Sequence, residues 1–361
     1  MRKAAPAYHF GMDPHRIPAR LAAAALSLAS CCAAVAQQSD GAAPASATPA
    51  VPRVTVPYTR DPVDKSYRKM VRGMERYQRA RALAPRSVLR FQVLPRQPGV
   101  KLDGVTLKVV GDSIALPVAM APDHSFTLAR NEQALREDAA LVANRKTSSM
   151  TWRAMVRSEG VPAGMRRLGD QRLECLVGME AGLVSNNSAL FAWLNDMLAD
   201  ADRVCASPEG NYLQFADRPL FGVTLHTGGR SMALPFRALY AGGTQTEATL
   251  PYCDCQVLLD RSYYAPIWDR GWPDDTLLSF EYMDDAAQPV PPGVASKEAA
   301  RAALGEPAAA LRFDSGYEVW QYRYPPAASL PKGEDGRPQM AELVLLFDSG
   351  GTTLQYRRRE P

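Results

Sequence analysis

Histidine is scarce in this sequence, and the motifs of the common catalytic sites are missing. Of the four histidines in 361 residues, only His124 and His226 lie beyond the N-terminal segment. Neither has the H-x-x-x-H or H-E-x-x-H spacing of a catalytic zinc site. Ser231 follows His226 closely, but no G-x-S-x-G elbow presents a serine for hydrolysis. We therefore expect a non-catalytic protein with no cofactor.

Phosphate loops and carboxylate pairs are equally poorly represented. No glycine-rich phosphate loop follows a predicted strand, and the glycine pairs at 228–229 and 242–243 are typical of turns. The acidic pairs at 274–275 and 284–285 lie in proline-containing loops, where such residues are expected to form turns. A pair of catalytic carboxylates like that of a glycosidase stays open as an alternative. A periplasmic enzyme with a site assembled from loops of the middle region is therefore the alternative function.

Long hydrophobic runs are also missing, so no transmembrane helix is predicted beyond the N-terminal segment. Residues 21–28 form a short apolar run behind four basic residues, and Ala34-Val35-Ala36 before Gln37 matches the A-x-A pattern of signal-peptidase cleavage. We expect residues 1–36 to be a signal peptide. Leu28-Ala29-Ser30-Cys31 also resembles a lipobox, whose cysteine is acylated and anchors the protein to a leaflet. Both outcomes stay open, and both place the protein in the periplasm, the second of them anchored to the outer membrane.

Four cysteines remain beyond the signal segment: Cys175, Cys205, Cys253 and Cys255. An even number in an oxidising compartment predicts two disulfides. A four-thiolate zinc site is the alternative, but the single residue between Cys253 and Cys255 is a shorter gap than structural zinc sites usually have. Cysteines two apart in one strand rarely pair with each other. The sequence therefore predicts that Cys175 and Cys205 each bond to one of the Cys253/Cys255 pair.

Basic residues are concentrated near the start of the mature chain. Residues 37–62, rich in Ala, Pro, Ser and Thr, predict a flexible tether. Residues 63–85 predict an amphipathic helix with an apolar face formed by Tyr67, Met70, Val71, Met74 and Tyr77. Its adjacent basic face is formed by Arg68, Arg72, Arg76 and Arg79. This basic face is a candidate for binding an anionic membrane surface or an acidic partner. The alternative is a terminal helix packed on the next domain with its arginines in solvent.

The middle region, residues 86–283, is predicted to be rich in strands. Residues 86–178 show strand patterns at 88–94, 105–110, 114–120, 126–128 and 173–177, which favours a β-sandwich. This stretch, with the turn at residues 123–128, resembles the carboxypeptidase-regulatory or transthyretin-like sandwiches. Residues 179–283 predict a helix from Ser188 to Val204 and strands at 220–226, 231–239, 256–259 and 277–282. An aromatic-rich loop between the last two strands contains Tyr263, Tyr264, Trp268 and Trp272.

The last part of the chain follows a proline-containing linker at residues 284–292. Ser296 is a predicted N-cap and Gly305 a predicted C-terminal glycine of a short helix. Strands are predicted at 318–324, 341–347 and 352–357, the last two joined by a tight turn. We expect residues 293–361 to fold as a separate domain, so that the whole chain is a β-rich, multi-domain α+β protein.

This C-terminal region resembles the SmpA/OmlA domain of the BamE-like outer-membrane lipoproteins. The resemblance depends on Leu-Gly-x-Pro at 304–307, Trp320-x-Tyr322, and Phe-Asp-x-Gly at 347–350. It covers residues 292–359 only, whereas BamE-like proteins consist essentially of this domain alone. The resemblance implies an envelope protein that binds a protein partner, or the outer-membrane surface, through this domain. We expect no nucleic-acid partner.

Overall fold

The structure is a computed structural model, and it describes residues 64–95, 100–145, 149–183, 200–208, 212–242, 258–325 and 341–360. The chain divides into two units, Met1–Pro57 and Tyr58–Pro361. All described residues belong to the second unit. The predicted signal peptide with Cys31, and the predicted tether at 37–62, lie outside the described residues. No helix in the described ranges has the length and apolar composition needed to cross a membrane.

Strands outnumber helices in the described ranges, which confirms the β-rich α+β class. The helices are α1 Tyr67–Arg79, α2 Glu132–Arg136, α3 Leu168–Glu180, α4 Ala201–Cys205 and α5 Lys297–Leu304. The strands are β1 Lys65–Ser66, β2 Ser87–Pro95, β3 Leu107–Val110, β4 Ala115–Val118, β5 Ser125–Phe126, β6 Ala140–Ala143, β7 Met150–Ser158, β8 Met165–Arg167, β9 Gln214–Phe215, β10 Leu220–Thr227, β11 Arg230–Ala233, β12 Ser262–Tyr263, β13 Leu277–Tyr282, β14 Ala309–Arg312, β15 Glu318–Tyr324, β16 Ala341–Phe347 and β17 Thr353–Arg359.

Helix α1 confirms the amphipathic helix predicted at 63–85, although it is shorter. The Ser66 hydroxyl caps it by accepting a hydrogen bond from the Lys69 N–H at 3.4 Å. Four of the five predicted apolar residues are buried, and Met74 is half-buried. Gly73 lets α1 approach α3 closely, because a Cβ at this position would lie 2.7 Å from the Ala181 Cβ.

Two antiparallel sheets and helices α1 and α3 enclose the first core. The strand orders are β1-β6-β3-β4 and β5-β2-β7. Alternate residues of β2 and β7 point inward, so Phe91 lies opposite Ala154 and Val93 opposite Trp152. The Phe126 ring lies between Phe91 and Trp152, at 5.8 and 6.0 Å between centroids. The strands predicted between 88 and 128 are thus confirmed in outline, while the likeness to transthyretin-like sandwiches stays a prediction.

The strand predicted at residues 173–177 is wrong, because these residues form the middle of helix α3. Every residue from Leu168 to Gly178 is buried. A helix that is buried on all sides has no polar face to reveal a 3.6-residue period, and a short apolar run within it reads equally well as a strand. The sequence signal at this position was therefore ambiguous.

The next sheet has the strand order β11-β10-β13-β8. Strands β10 and β13 confirm the strands predicted at 220–226 and 277–282. The prediction at 231–239 holds only for β11, since a 3-10 helix at Phe236–Ala238 follows Pro235, which cannot donate to a strand ladder. Leu259–Arg261 is also a 3-10 helix and not part of a strand. The helix predicted at 188–204 is not continuous, because Asp200 has extended backbone and its side chain caps the start of α4; the predicted residues before Asp200 lie outside the described residues.

Helix α5 and the meander β14-β15-β16-β17 form the C-terminal part. Ser296 caps α5 through the Ala299 N–H, and Gly305 ends it with a φ of 80°, as predicted. Strands β15 and β16 match their predicted bounds, while β14 was missed. One sheet face packs around Trp320 and Phe347 beneath α5. The opposite face buries Val319, Val344, Leu346 in the core that also contains β10 and β13.

A disulfide joins Cys175 in α3 to Cys205 at the end of α4, with their Cα atoms 5.9 Å apart. The expected pairing of these two cysteines with Cys253 and Cys255 is therefore wrong. The reason is the misassigned strand: as part of a helix, Cys175 faces α4 and not a neighbouring strand. Cys253 and Cys255 lie outside the described residues.

Candidate functional site: an arginine-lined cleft

The outer face of the β5-β2-β7 sheet carries the candidate site. In β7 the side chains of Trp152, Ala154 and Val156 point into the core. The alternate residues Arg153 and Arg157 therefore point away from it, since successive side chains of a strand project to opposite faces. The sequence thus places arginines on a surface whose reverse side is apolar.

A cleft of about 540 Å³ lies over this face. Its volume falls in the range of roughly 300–1,000 Å³ that is typical of ligand pockets. The opposite wall is formed by residues 212–217, which include β9, together with Leu258 and Arg261. The charged residues that line the cleft are Arg153, Arg157, Arg166, Arg261, Asp123, Glu174 and Asp217. We call this feature the arginine-lined cleft.

Glu174 of α3 is the electrostatic centre of the cleft. Its Oε1 atom accepts hydrogen bonds from the Val156 N–H at 2.8 Å, Arg157 Nη1 at 2.9 Å and Arg166 Nη2 at 2.7 Å. Glu174 and Arg166 are each only 6% exposed. A buried carboxylate is tolerated when donors of this kind satisfy it. Two guanidinium groups thus converge on a single carboxylate oxygen.

This arrangement leaves an excess of positive charge. The next carboxylate, Asp217, lies 3.6 Å from Arg157 Nη2, and its side chain is 74% exposed, so water screens the interaction. Burial, and then the charge of Arg166, lower the pKa of Arg157. Burial also acts to lower the pKa of Arg166, but the charge and hydrogen bond of Glu174 outweigh it and raise that pKa. Both groups are cations at neutral pH, and the pair shares one closely placed anion.

Two further arginines join the walls of the cleft. The Arg153 guanidinium lies 4.5 Å from the centroid of the Phe215 ring, a cation–π contact between the sheet and β9. Arg261 Nη1 donates to the Asp217 carbonyl at 3.0 Å. The first contact joins the two walls of the cleft, and the second lies within the wall formed by residues 212–217, Leu258 and Arg261.

The remaining polar groups of the cleft include one donor without a hydrogen-bond partner among the described residues. The Tyr212 hydroxyl donates to the Glu174 carbonyl at 3.2 Å, and burial raises the pKa of Tyr212, so the phenol stays protonated at neutral pH. Gln214 Oε1 accepts from the Ala265 N–H at 3.1 Å, while its Nε2 atom is buried with no hydrogen-bond partner among the described residues. This unpaired amide donor is complementary to a ligand that brings an acceptor.

The four arginines predicted to form one basic face do not behave alike. Arg68 pairs with Asp138 at 3.3 Å and donates to the Leu135 carbonyl at 2.9 Å. Arg76 pairs with Asp202 in α4. Arg72 and Arg79 are exposed and make no ion pair with another described residue. Half of the predicted face therefore belongs to the folded body, and surface binding by the other half stays a prediction.

The other predicted positions lie outside the cleft. His226 Nε2 lies 2.8 Å from Ser279 Oγ on the exposed face of β10 and β13, with Ser231 opposite it on β11. Asp284 and Asp285 both bind Arg218, at 2.7 and 3.1 Å, and are thus engaged in an ion-pair network and not aligned as a catalytic pair. No group of three or more metal-ligating side chains occurs within the described ranges.

Asp274 holds the aromatic-rich loop in place. It binds Arg172 Nη1 at 2.5 Å. Arg172 also donates to three carbonyls of this loop, those of Ile267, Asp269 and Trp272. The loop is therefore anchored to α3 through Arg172, and none of these residues lines the cleft.

Sequence reasoning missed the cleft because its residues come from seven separate stretches of the chain. A local signal did exist. Residues 150–158 alternate apolar and arginine positions, which is the period-2 pattern of a half-buried strand, and two arginines on one strand face predict a basic surface. The convergence of β7, α3 and residues 212–217 is a tertiary property that no local pattern predicts.

No family model, no curated protein and no solved structure matches this chain. The resemblances to the SmpA/OmlA domain and to the transthyretin-like sandwiches therefore stay predictions.

Proposed function

We propose that this chain is a non-catalytic binding protein of the bacterial cell envelope and that it recognises a protein partner in the arginine-lined cleft. One observation carries the proposal. Glu174 joins Arg157 and Arg166 in an open cleft that is walled by four arginines. The signal-peptide pattern at residues 1–36 and the resemblance of residues 292–359 to an outer-membrane lipoprotein domain support the location.

The chemistry of the cleft favours binding over catalysis. Glu174 accepts three hydrogen bonds at Oε1, two of them from guanidinium groups, which is the arrangement of a structural ion pair. The raised pKa of Tyr212 disfavours its use as a base. The described residues that line the cleft include no His, Cys, Ser or Thr to act as a nucleophile or proton relay. An enzyme assembled from middle-region loops is the second candidate, because a convergent polar cluster occupies this position.

The cleft is a better-supported partner site than the C-terminal sheet. Both faces of the β14-β15-β16-β17 sheet are used internally, one beneath α5 and the other against the middle strands. Little apolar sheet surface is therefore left for an external partner. We propose a supporting role for this domain and a secondary role for Arg72 and Arg79 in attraction to an anionic membrane surface.

Site-specific photo-crosslinking in intact cells tests the proposal. A photoreactive amino acid replaces Asp217 at the cleft rim in the full chain, and the matched control carries it at Arg312, whose side chain is 78% exposed on β14. We expect a discrete protein adduct at position 217 that Arg157→Ala weakens at least tenfold, and none at position 312. Fractionation of the same cells should recover the protein with the envelope.

Equal adducts at both positions, or an adduct at 312 alone, would contradict partner recognition in the cleft. Recovery of the protein in the cytosol would contradict the proposed location.

A further inference from the structure

The charge balance around Arg157 fits one additional negative charge. Arg157 and Arg166 share Glu174 Oε1, and the exposed Asp217 is the next carboxylate. Like charges held close together in a partly dry site repel each other strongly. Burial first, and then the neighbouring charge of Arg166, disfavour the charged form of Arg157 and lower its pKa. An anion bound at Arg157 would relieve the repulsion.

Arg157 has donors available for such an anion. Its Nη1 atom donates to Glu174 Oε1 and, at 3.2 Å, to the Val156 carbonyl. Its Nη2 atom makes no hydrogen bond within the described ranges, because the Asp217 oxygen at 3.6 Å is beyond hydrogen-bond distance. The side chain is 34% exposed and lines the cleft. A guanidinium edge with free N–H groups matches the two oxygens of a carboxylate.

The surroundings favour a monoanion over a phosphate. Asp123 and Asp217 both line the cleft and repel incoming negative charge. A phosphate monoester carries close to two negative charges at neutral pH, so it meets more of this repulsion than a carboxylate does. The four arginines and three carboxylates that line the cleft leave an excess of one positive charge, which matches a single carboxylate.

The apolar part of the cleft favours a peptide over a small free acid. Leu94, Met155, Phe215 and Leu258 line it beside the arginines. A volume of about 540 Å³ is far larger than one carboxylate group needs. Neighbouring side chains of a peptide would remove these apolar surfaces from water, and pockets of this mixed kind are typical of specific ligands.

We infer that the arginine-lined cleft binds a peptide carboxylate, an acidic side chain or a free C-terminus, which Arg157 holds through Nη2 while apolar neighbours of the peptide pack on Leu94, Met155 and Phe215. This inference rests on the proposed function, because it names the ligand of the same cleft. Glu174 then acts as the fixed anion that orients both arginines.

Calorimetry with the full mature chain and three pentapeptides at low salt tests the inference. The first is blocked at both ends and has a central glutamate between two leucines. The second has glutamine in place of glutamate. The third is the glutamine peptide with a free C-terminus. We expect the glutamate peptide, the free-C-terminus peptide, or both, to bind at least tenfold more tightly than the blocked glutamine peptide, which identifies the source of the carboxylate.

Variants test the assigned residues. Arg157→Ala should weaken the favoured peptide at least tenfold, and Arg157→Lys should restore only part of the affinity, since an ammonium offers no bidentate edge. Asp217→Asn removes a repulsive charge at an exposed position and should tighten binding several-fold. Arg312→Ala, at an exposed arginine that does not line the cleft, is the matched control and should leave the peptide affinity unchanged. Melting temperatures of all four variants check that the fold is kept.

Three outcomes would overturn the inference. They are equal affinity for all three peptides, no effect of Arg157→Ala in a folded variant, and weaker binding by Asp217→Asn. Inorganic phosphate or anionic phospholipid vesicles that bind through Arg157 when the peptides do not would assign the cleft to phosphate instead. If crosslinking at position 217 persists while the peptides show no carboxylate preference, the ligand class is wrong and the proposed function stands.

Discussion

Cys175 and Cys205 connect helices α3 and α4, and Cys175 directly follows Glu174, the carboxylate on which Arg157 and Arg166 converge. The bond therefore fixes the helix turn that positions the centre of the cleft. The two cysteines are 30 residues apart in sequence. Most of the intervening chain lies outside the described residues. Within the described residues, the disulfide is what connects α3 covalently to α4.

Removing this disulfide should lower stability substantially. Closing a loop of this length stabilises a protein by about 3–4 kcal/mol in the chain-entropy model. We expect the double variant Cys175→Ala/Cys205→Ala to lose stability of this order in urea unfolding. Arg312→Ala on the exposed strand β14 is the control and should be close to neutral. Peptide mapping of the native protein that linked Cys175 to Cys253 or Cys255 would contradict the pairing.

Neutralising Glu174 should destabilise the fold more than neutralising a surface acid. Glu174→Gln leaves two guanidinium groups without their shared anion, and loss of one partner of a buried pair typically costs about 3–5 kcal/mol. The lower end is expected, because Arg157 is partly exposed. Glu75→Gln, which removes an exposed ion pair with Arg130, should cost no more than about 1 kcal/mol. Equal effects in urea unfolding would mean that Glu174 is not a buried electrostatic centre.

The strands and caps of this protein were predictable where their patterns are local. β13, β15 and β16 match their predicted bounds because alternation and turn residues mark both ends. The Ser296 and Gly305 caps were readable because each acts on backbone groups within a few residues. Elements of this kind carry their own sequence signal.

Helix α3 and the cleft were not predictable for the same physical reason. α3 is buried on every side, so its residues pack against partners far away in the sequence. For this reason they show no amphipathic period. The error at 173–177 then carried into the disulfide prediction, since strand geometry was used for Cys175. Glu174 acquires its role only when β7, β8 and α3 meet.

The buried carboxylate of Asp170 should make stability depend on pH in the acid range. Burial raises the pKa of Asp170, and the hydrogen bonds from the Ser158 N–H and hydroxyl only partly offset this. A raised folded pKa means that the folded state holds the proton more tightly than the unfolded state. The raised pKa of Asp170 therefore stabilises the fold fully at pH values below the pKa of the unfolded state, which is about 4. This stabilisation is lost as the pH rises through the folded pKa.

Replacing Asp170 tests this sign. Asp170→Asn cannot titrate. As the pH rises from about 3 through the folded pKa, the unfolding free energy of the wild type should therefore fall relative to that of the variant. Urea unfolding at a series of pH values measures it. If the unfolding free energy of the wild type instead rises relative to that of the variant, the hydrogen bonds from Ser158 dominate and lower the folded pKa.

A fragment starting near Pro289 should fold but self-associate. The core around Trp320, Phe347 and Ala300 is internal to the fragment, so we expect a cooperative thermal transition with a buried-Trp signal. Removal of the middle strands exposes Val319, Val344 and Leu346 on the other sheet face, which should drive association. Sedimentation of the fragment measures this association. A disordered fragment would show that the proposed boundary and the SmpA/OmlA resemblance are both wrong.

The arginines of α1 should separate into two pairs with different effects. Arg68 and Arg76 form ion pairs with Asp138 and Asp202, so their reversal to Glu should lower the melting temperature by removing these pairs and adding repulsion. Arg72 and Arg79 are exposed without an ion pair to another described residue, so their reversal should leave the melting temperature nearly unchanged. Each cation held near an anionic leaflet is worth about 1 kcal/mol, fading over a Debye length of about 8 Å.

Sedimentation with anionic vesicles at low salt distinguishes attraction to the membrane from a purely structural role of α1. We expect the Arg72→Glu/Arg79→Glu variant to lose most of the bound fraction while keeping its fold. Added salt should lower the binding of the wild type, so the difference between wild type and variant should shrink. Arg237→Glu/Arg270→Glu, at two exposed positions outside α1, is the matched control for the change in net charge. If this control loses binding equally, the attraction depends on net charge alone. In that case α1 is a packed terminal helix whose exposed arginines contact only solvent.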